Sequence, residues 1–287
     1  MSTAVIVISS HVVRGAVGNR AAVFALEQLG LKTWAVPTVT LPWHPGHGPA
    51  SRIVPDADQF GQLIDDLMRA PWLGEVGAVL SGYFGGPSQP EAALRLVKAV
   101  KEANPAALYL CDPVIGDQSG LYVPEATASA IRDVLIPASD IATPNRHELA
   151  WLTGRDCETP FAALEAAKAL GPASVLVTSA PTLMAGATGN LLWSGGQAVM
   201  AEHQALPKAP NGTGDLLAAL YLGRLLKGEE QALERATAGV FEMAASAGRA
   251  GENELPLERE AIRLGHPMAM VHMRAMTGAP RKAPKRQ

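Results

Sequence analysis

The run Asn211-Gly-Thr-Gly-Asp215 leads directly into the apolar stretch Leu216-Leu-Ala-Ala-Leu-Tyr-Leu222. Two glycines let the backbone turn tightly and aim amide N–H groups into open space. A helix starting there adds free N–H groups and the positive end of its dipole. Such a cradle suits a phosphoryl group in transfer, whose charge grows on its oxygens. Gly212, Thr213 and Gly214 are the candidates to hold that group. Asp215, at the helix start, is placed to take the proton of an attacking hydroxyl. The same residues also spell an ordinary helix N-cap, and for this motif alone the two readings are evenly matched.

Two further acidic runs extend the pattern. In Cys111-Asp-Pro-Val-Ile-Gly-Asp117, the carboxylates of Asp112 and Asp117 are suited to Mg²⁺ or its waters near phosphates. A turn in which Asp caps its own backbone is the competing reading. In Thr143-Pro-Asn-Arg-His-Glu148, Asn145 is positioned to cap a helix, with Glu148 at N3 as its capping-box partner. On the functional reading Glu148 reaches metal-bound waters, while Thr143 and Asn145 face phosphate. His44-Pro-Gly-His47 offers two imidazoles without an evident third ligand, which argues against a metal site. Cys111 reads as a small buried apolar residue rather than a nucleophile.

The elements that must position these groups follow from periodicity. Ala4-Val-Ile-Val-Ile8 is continuously apolar and β-branched, as a strand buried on both faces is. A helix is predicted over Gly18–Leu29, stopped by Gly30. Strands are predicted over Val76–Leu80, Ala107–Leu110, Asp140–Ala142 and Ser174–Val177. Helices are predicted over Gln89–Ala103, Pro124–Leu135, Asp215–Lys227 and Glu230–Arg249. Residues Gly189–Val199 read as a hairpin turning at Gly195-Gly196. Alternation of strand and helix implies an α/β fold of three layers, a mostly parallel central sheet with helices on both faces. Ligands then bind at the carboxyl ends of the strands. Ser9-Ser-His11, Ser81-Gly-Tyr83, Cys111-Asp-Pro113, Thr143-Pro-Asn145 and Thr178-Ser179 fall at those ends.

Of 287 residues, 48% are hydrophobic and 18% charged, enough apolar material for one substantial core. No composition shift divides the chain, so residues 1–270 are expected to form a single domain. Residues 271–287 end in Arg281, Lys282, Lys285 and Arg286 and read as a disordered basic tail. A formal net charge of −3 gives no nucleic-acid footprint. No apolar run approaches a membrane span, and no signal peptide is visible. The two cysteines, Cys111 and Cys157, form no metal or disulfide pattern, so a cytoplasmic protein is expected.

Taken in order, these motifs resemble the ribokinase superfamily and, within it, the pyridoxal kinases. The resemblance rests on Ser10-His-Val-Val-Arg-Gly-Ala-Val-Gly-Asn19, Leu80-Ser-Gly-Tyr83, Cys111 to Asp117, Thr143-Pro-Asn145 with Glu148, Val177-Thr-Ser179 and Gly212-Thr-Gly-Asp215. The Ser-His-Val-Val block is the more specific part, since Gly-Thr-Gly-Asp is shared across the superfamily. The resemblance implies a ribokinase-like fold and ATP-dependent phosphorylation of the 5′-hydroxyl of pyridoxal, and of related B6 vitamers, with Mg²⁺. A monovalent cation such as K⁺ is a further candidate, and a homodimer is implied. It implies that Ser10 bonds the pyridine ring, and that Val17, Trp43, His44 and Tyr83 line the substrate pocket. Asp112, Asp117 and Glu148 would serve metal and phosphates, and Thr143, Asn145, Thr178 and Ser179 would contact ATP. Thr213 and its flanking glycines would hold the phosphoryl group, and Asp215 would be the base.

One segment departs from the family. Where many members read Phe-Ser-Asn-His-Thr-Gly-Tyr, this chain reads Leu41-Pro-Trp-His-Pro-Gly-His47. The threonine that contacts substrate becomes Pro45, which has neither hydroxyl nor N–H. Two other readings therefore stand beside pyridoxal kinase. One is a superfamily kinase for another alcohol, such as hydroxymethylpyrimidine or a sugar. The other is a nucleotide- or vitamer-binding protein without catalysis, against which the intact Asp215 and cradle argue.

Overall fold

A computed structural model of the chain describes residues 3–276. In chain order the elements open with β1 (Ala4–Val12), α1 (Asn19–Gln28), β2 (Lys32–Leu41), α2 (Ala57–Met68), β3 (Val76–Ser81) and α3 (Gln89–Ala103). They continue with β4 (Leu108–Cys111), β5 (Gly116–Asp117), β6 (Gly120–Leu121), α4 (Glu125–Ala130), β7 (Ile141–Ala142), α5 (Arg146–Thr153) and α6 (Pro160–Leu170). The C-terminal part holds β8 (Ser174–Ala180), β9 (Ala187–Ser194), β10 (Gln197–Gln204), α7 (Thr213–Leu226), α8 (Ala232–Ala250), α9 (Ala261–Gly265) and β11 (His272–Ala275).

Nine strands form one sheet in the order β11-β10-β9-β8-β7-β4-β3-β1-β2. From β2 to β8 every pairing is parallel, and β8 to β11 pair antiparallel. The fold is thus the expected three-layer α/β/α arrangement. One core cluster packs α1, α7 and α8 on one face through Leu26, Leu220 and Met243. A second packs α2, α3 and α4 on the other through Ile64, Leu96 and Ala128. β1 lies between two parallel neighbours with Ala4 to Ile8 wholly buried, which is why its sequence is continuously apolar.

Most predicted elements appear within a residue or two of their expected bounds, α3 among them. The stretch predicted as one helix over Pro124–Leu135 is α4 followed by a π-helical turn over Ile131–Leu135. Several elements were not predicted, β2, α2 and α6 among them. β2 carries Pro37 and five polar or small residues, which an edge strand tolerates and a central strand does not. α2 is started by a capping box, Asp56 accepting from the Gln59 N–H and the Gln59 side chain from the Asp56 N–H.

The C-terminal boundary needs correction. β11 lies inside the expected tail, yet it pairs with β10 from Val199–Ala275 to Glu202–His272 and closes one edge of the sheet. Across that pairing Arg274 bonds the buried Glu202 carboxylate at 3.1 Å. The basic cluster beyond it lies outside the described residues. No helix among the described residues is long and apolar enough to cross a membrane.

Candidate active site

The site is built where the parallel strands end. α7 begins at Gly212, which sits in the left-handed region at φ 88° as its N-cap. A Cβ there would meet the Ala16 carbonyl oxygen at 2.0 Å, so only glycine fits. That contact seats the cradle on the β1–α1 loop, with Val17 beside it. The N–H of Gly18 in the same loop and the N–H of Asp215 itself act on the Asp215 carboxyl and oppose the rise in its pKa. Gly18 is itself at φ 56°, and a Cβ would strike Ser10 O at 2.3 Å and Oγ at 2.4 Å. Ser10, Val17, Gly212 and Asp215 therefore form one continuous wall.

The end of β3 closes the same space. A Cβ on Gly82 would lie 2.6 Å from Ser9 Oγ and 3.9 Å from Asp215 Oδ1, so the missing side chain leaves the carboxylate its room. Tyr83 donates its N–H to Ser9 Oγ, and its carbonyl accepts from Thr38 Oγ1 at 2.6 Å. Asn19, at the end of the Ser10–Asn19 block, ties β1 to β2 by donating to the Ser9 and Val36 carbonyls. It does so where the β1–β2 register slips between Ser9 and His11. Irregularities of this kind re-aim side chains beside functional sites.

Asp112 follows β4, and Glu148 lies in the first turn of α5. Asp112 is 7% exposed and accepts from Thr143 Oγ1 at 2.9 Å. Burial pushes its carboxyl up to about 8, with the negative charge of Asp215 adding to the effect and Thr143 opposing it. Burial likewise raises Asp215, to about 6, against the two backbone donors. Glu148 is held well above the usual carboxylate range, first by burial and then by Asp112. Both of its oxygens are already taken. Oε1 accepts from the N–H groups of Ile115 and Gly116, and Oε2 from that of Asn145.

Three sequence expectations change here. Asn145 and Glu148 form the complete capping box of α5, and Asn145 Nδ2 donates to the Gly116 carbonyl at 2.8 Å. The Asn145 side chain is thereby committed to backbone rather than turned to phosphate. Asp117 is exposed and bonds the N–H and hydroxyl of Ser119, which lowers its pKa. It follows the turn reading and stands apart from the buried pair. Among the described residues, no three His, Cys, Asp or Glu side chains are placed to hold a metal ion. Asp112, Asp117 and Glu148 thus do not make a protein-only metal cage. Mg²⁺ rarely needs one, since it keeps waters and takes one or two carboxylates alongside phosphates. A buried carboxylate beside a second one, with a single hydroxyl donor, fits such a cation.

Thr178 and Ser179 sit where β8 slips register against β9, between Val177 and Ala180. Ser179 is exposed at φ 50°, the one non-glycine residue at positive φ among those described. The Thr178 N–H donates to the Pro144 carbonyl, which brings this bulge against the Thr143–Asn145 turn.

The altered segment leaves β2 as a loop closed by a Thr40–Ile53 bridge. Pro45–His47 form a single 3-10 turn capped by His44. Trp43 is 38% exposed and donates its indole N–H to Gly48 O at 3.3 Å. His47 pairs with Glu254 at 3.0 Å, which also takes Arg14 at 3.0 Å. His44 reaches Asn211 at 3.1 Å, joining this lid to the cradle. The sequence signal for Asn211 was only its place before Gly212. Glu254 gave none.

Residues 88–258 match a family model described as phosphomethylpyrimidine kinase. The pyridoxal kinase PdxY of Rubrobacter xylanophilus is 39% identical over 259 residues, covering 87% of this chain and 89% of the relative. The PdxY of Corynebacterium diphtheriae is 35% identical over 268 residues, covering 91% and 95%. A pyridoxal kinase from Leishmania donovani, solved with ADP and pyridoxine, superposes with a TM-score of 0.88 at 26% identity, over 96% of this chain and 99% of that one.

Proposed function

The chain belongs to the pyridoxal kinase family, and we propose that it transfers the γ-phosphoryl group of ATP to the 5′-hydroxyl of pyridoxal. The observation that carries this reading is Asp215 itself. It stands at the start of α7, acted on by the Gly18 N–H, on the wall shared with Ser10 and Val17. A carboxyl at about 6 is ionised at neutral pH and still basic enough to take a proton from an alcohol as the oxygen attacks. The first N–H groups of α7 have no partner inside the helix and face growing negative charge on the phosphoryl oxygens. Ser10 offers a hydroxyl to the pyridine ring, and Tyr83 and Val17 complete the pocket.

Mg²⁺, when bound with the nucleotide, neutralises charge on the phosphates. Asp112 would hold it, oriented by Thr143, and Glu148 keeps the loop before it in shape. The strained Ser179 bulge and the Thr143 turn form the side on which ATP is expected. A homodimer in the cytoplasm belongs to the same reading, supported by the resemblance and by two free, buried cysteines.

A second acceptor, hydroxymethylpyrimidine, is favoured by the matched family model and by the altered lid. ADP release measured with pyridoxal, pyridoxine, pyridoxamine and hydroxymethylpyrimidine separates the two. Pyridoxal is expected to give the highest kcat/KM. Turnover of the pyrimidine alone would sink the pyridoxal assignment.

A further inference from the structure

His44 is held through Nδ1 by the Gly46 backbone and the Asn211 side chain. Its Nδ1 lies 3.0 Å from the Gly46 backbone N and 3.1 Å from Asn211 Nδ2. A backbone N–H has no lone pair to offer, so Nδ1 must present its own lone pair to Gly46. Turning the Asn211 amide over would require a proton on Nδ1, which Gly46 forbids. Asn211 therefore donates as well, and the ring proton resides on Nε2. Among the described residues Nε2 has no hydrogen-bond partner.

The surroundings reinforce that state. Pro45 opens the 3-10 turn and His44 precedes it at φ −64°, ψ 135°, the extended backbone a residue before proline adopts. A Cβ on Gly46 would come within 2.9 Å of Nδ1, so glycine lets the ring settle on this turn. His47 stands edge-on at 6.4 Å and is paired with Glu254. Burial lowers the His44 pKa and His47 lowers it further, against Glu254. On the other side, Asn211 is bonded through the backbone to Gly212, which packs on Ala16 and Val17 in the substrate wall.

We propose that Asn211 is a positioning residue that, together with the Gly46 N–H, holds His44 as a neutral Nε2–H donor to an oxygen on the substrate ring, and so couples the lid to the phosphoryl cradle. The proposal rests on pyridoxal being the acceptor. It gives the lid a polar contact that Pro45 cannot make, and it places lid closure under the same side chain that borders Gly212.

The test uses the whole protein and two readouts. In free enzyme, ¹⁵N NMR of the imidazoles, with His44 assigned by comparison with His44→Gln, is expected to show the His44 proton on Nε2. Asn211→Asp replaces a donor by an acceptor and should raise the His44 pKa. Asn211→Leu should raise the KM for pyridoxal about 2- to 10-fold, the range of one neutral hydrogen bond, with the KM for ATP unchanged and kcat within about 2-fold. Asn211 is exposed, and thermal melts would show both variants folded as the wild type is. A His44 proton on Nδ1, or an unchanged KM for pyridoxal in Asn211→Leu, overturns the proposal. Wild-type enzyme inactive on pyridoxal overturns the functional reading instead, and the ring tautomer in free enzyme tells the two failures apart.

Discussion

Glu148 and Asp215 are carboxylates in the first turns of α5 and α7, and they keep different company. Glu148 gives both oxygens to three backbone N–H groups and is buried behind the loop it clamps. Asp215 is acted on by the N–H groups of Gly18 and itself, faces Gly82 rather than a side chain, and keeps part of its surface open. The groups around Glu148 are thus largely satisfied by their own neighbours: Asn145 on Gly116, Thr143 on Asp112, Asp117 on Ser119. The same acidic residue type is wholly engaged in holding shape in one place and left partly open in the other.

The sharpest way to break the contrast is at Gly212. Gly212→Ala puts a methyl 2.0 Å from the Ala16 carbonyl at a φ of 88°. The cradle must then move, and loss of aligned phosphoryl donors is expected to lower kcat by at least about 100-fold. Steady-state kinetics with folded variant checks it.

Glu148→Ala tests the other carboxylate. It strands three amides that lose their acceptor, and urea unfolding is expected to show a loss of about 3 kcal/mol. A purely metal-supporting Glu148 would instead leave stability unchanged and shift only the Mg²⁺ dependence of the rate.

Asp112 gives a smaller effect with a definite sign. Its folded pKa of about 8 lies above its unfolded value, so the folded state holds the proton longer. The stability this contributes is present below the unfolded pKa and is lost as pH rises through about 8. Asp112→Asn keeps an acceptor for Thr143 and never ionises. Without nucleotide or metal, it is expected to exceed the wild type in stability by more than about 1 kcal/mol at pH 8.5 and by less at pH 5. A gap that does not widen with pH would contradict the burial of a lone carboxylate there.

The lid gives the smallest effects. If the exposed Trp43 indole stacks on the substrate ring, Trp43→Ala should raise the KM for pyridoxal about 2- to 10-fold, while Pro45→Thr lowers it or leaves it unchanged. An unchanged KM in Trp43→Ala would place the indole in lid packing alone, consistent with its bond to Gly48 O.

How much of this was legible in the sequence varied with the physics of each part. β1 and α3 were plain because burial on two faces, or on one helical stripe, writes itself in periodicity. Gly212 at the start of α7 was legible because a left-handed cap calls for glycine, whereas the motif alone read equally as an N-cap or an anion cradle. β2 was hidden because an edge strand is free of the patterning that burial imposes. The roles of Asn145 and Asp117 were ambiguous because capping and phosphate contact ask for the same side chains. The meeting of Asn211 with His44 was invisible, being made by the fold across 167 residues of chain.

The central claim, that Asp215 is the base, is tested most directly by the pH profile of kcat/KM for pyridoxal in wild type and Asp215→Asn. A base at about 6 predicts a wild-type rate that is level at neutral pH and falls as pH drops through about 6, because protonation removes the acceptor. Asp215→Asn is expected to lower kcat by about 100-fold or more, to lose that acidic limb, and to bind pyridoxal nearly as well as the wild type. Near-normal turnover in the variant, with the limb retained, would contradict the account.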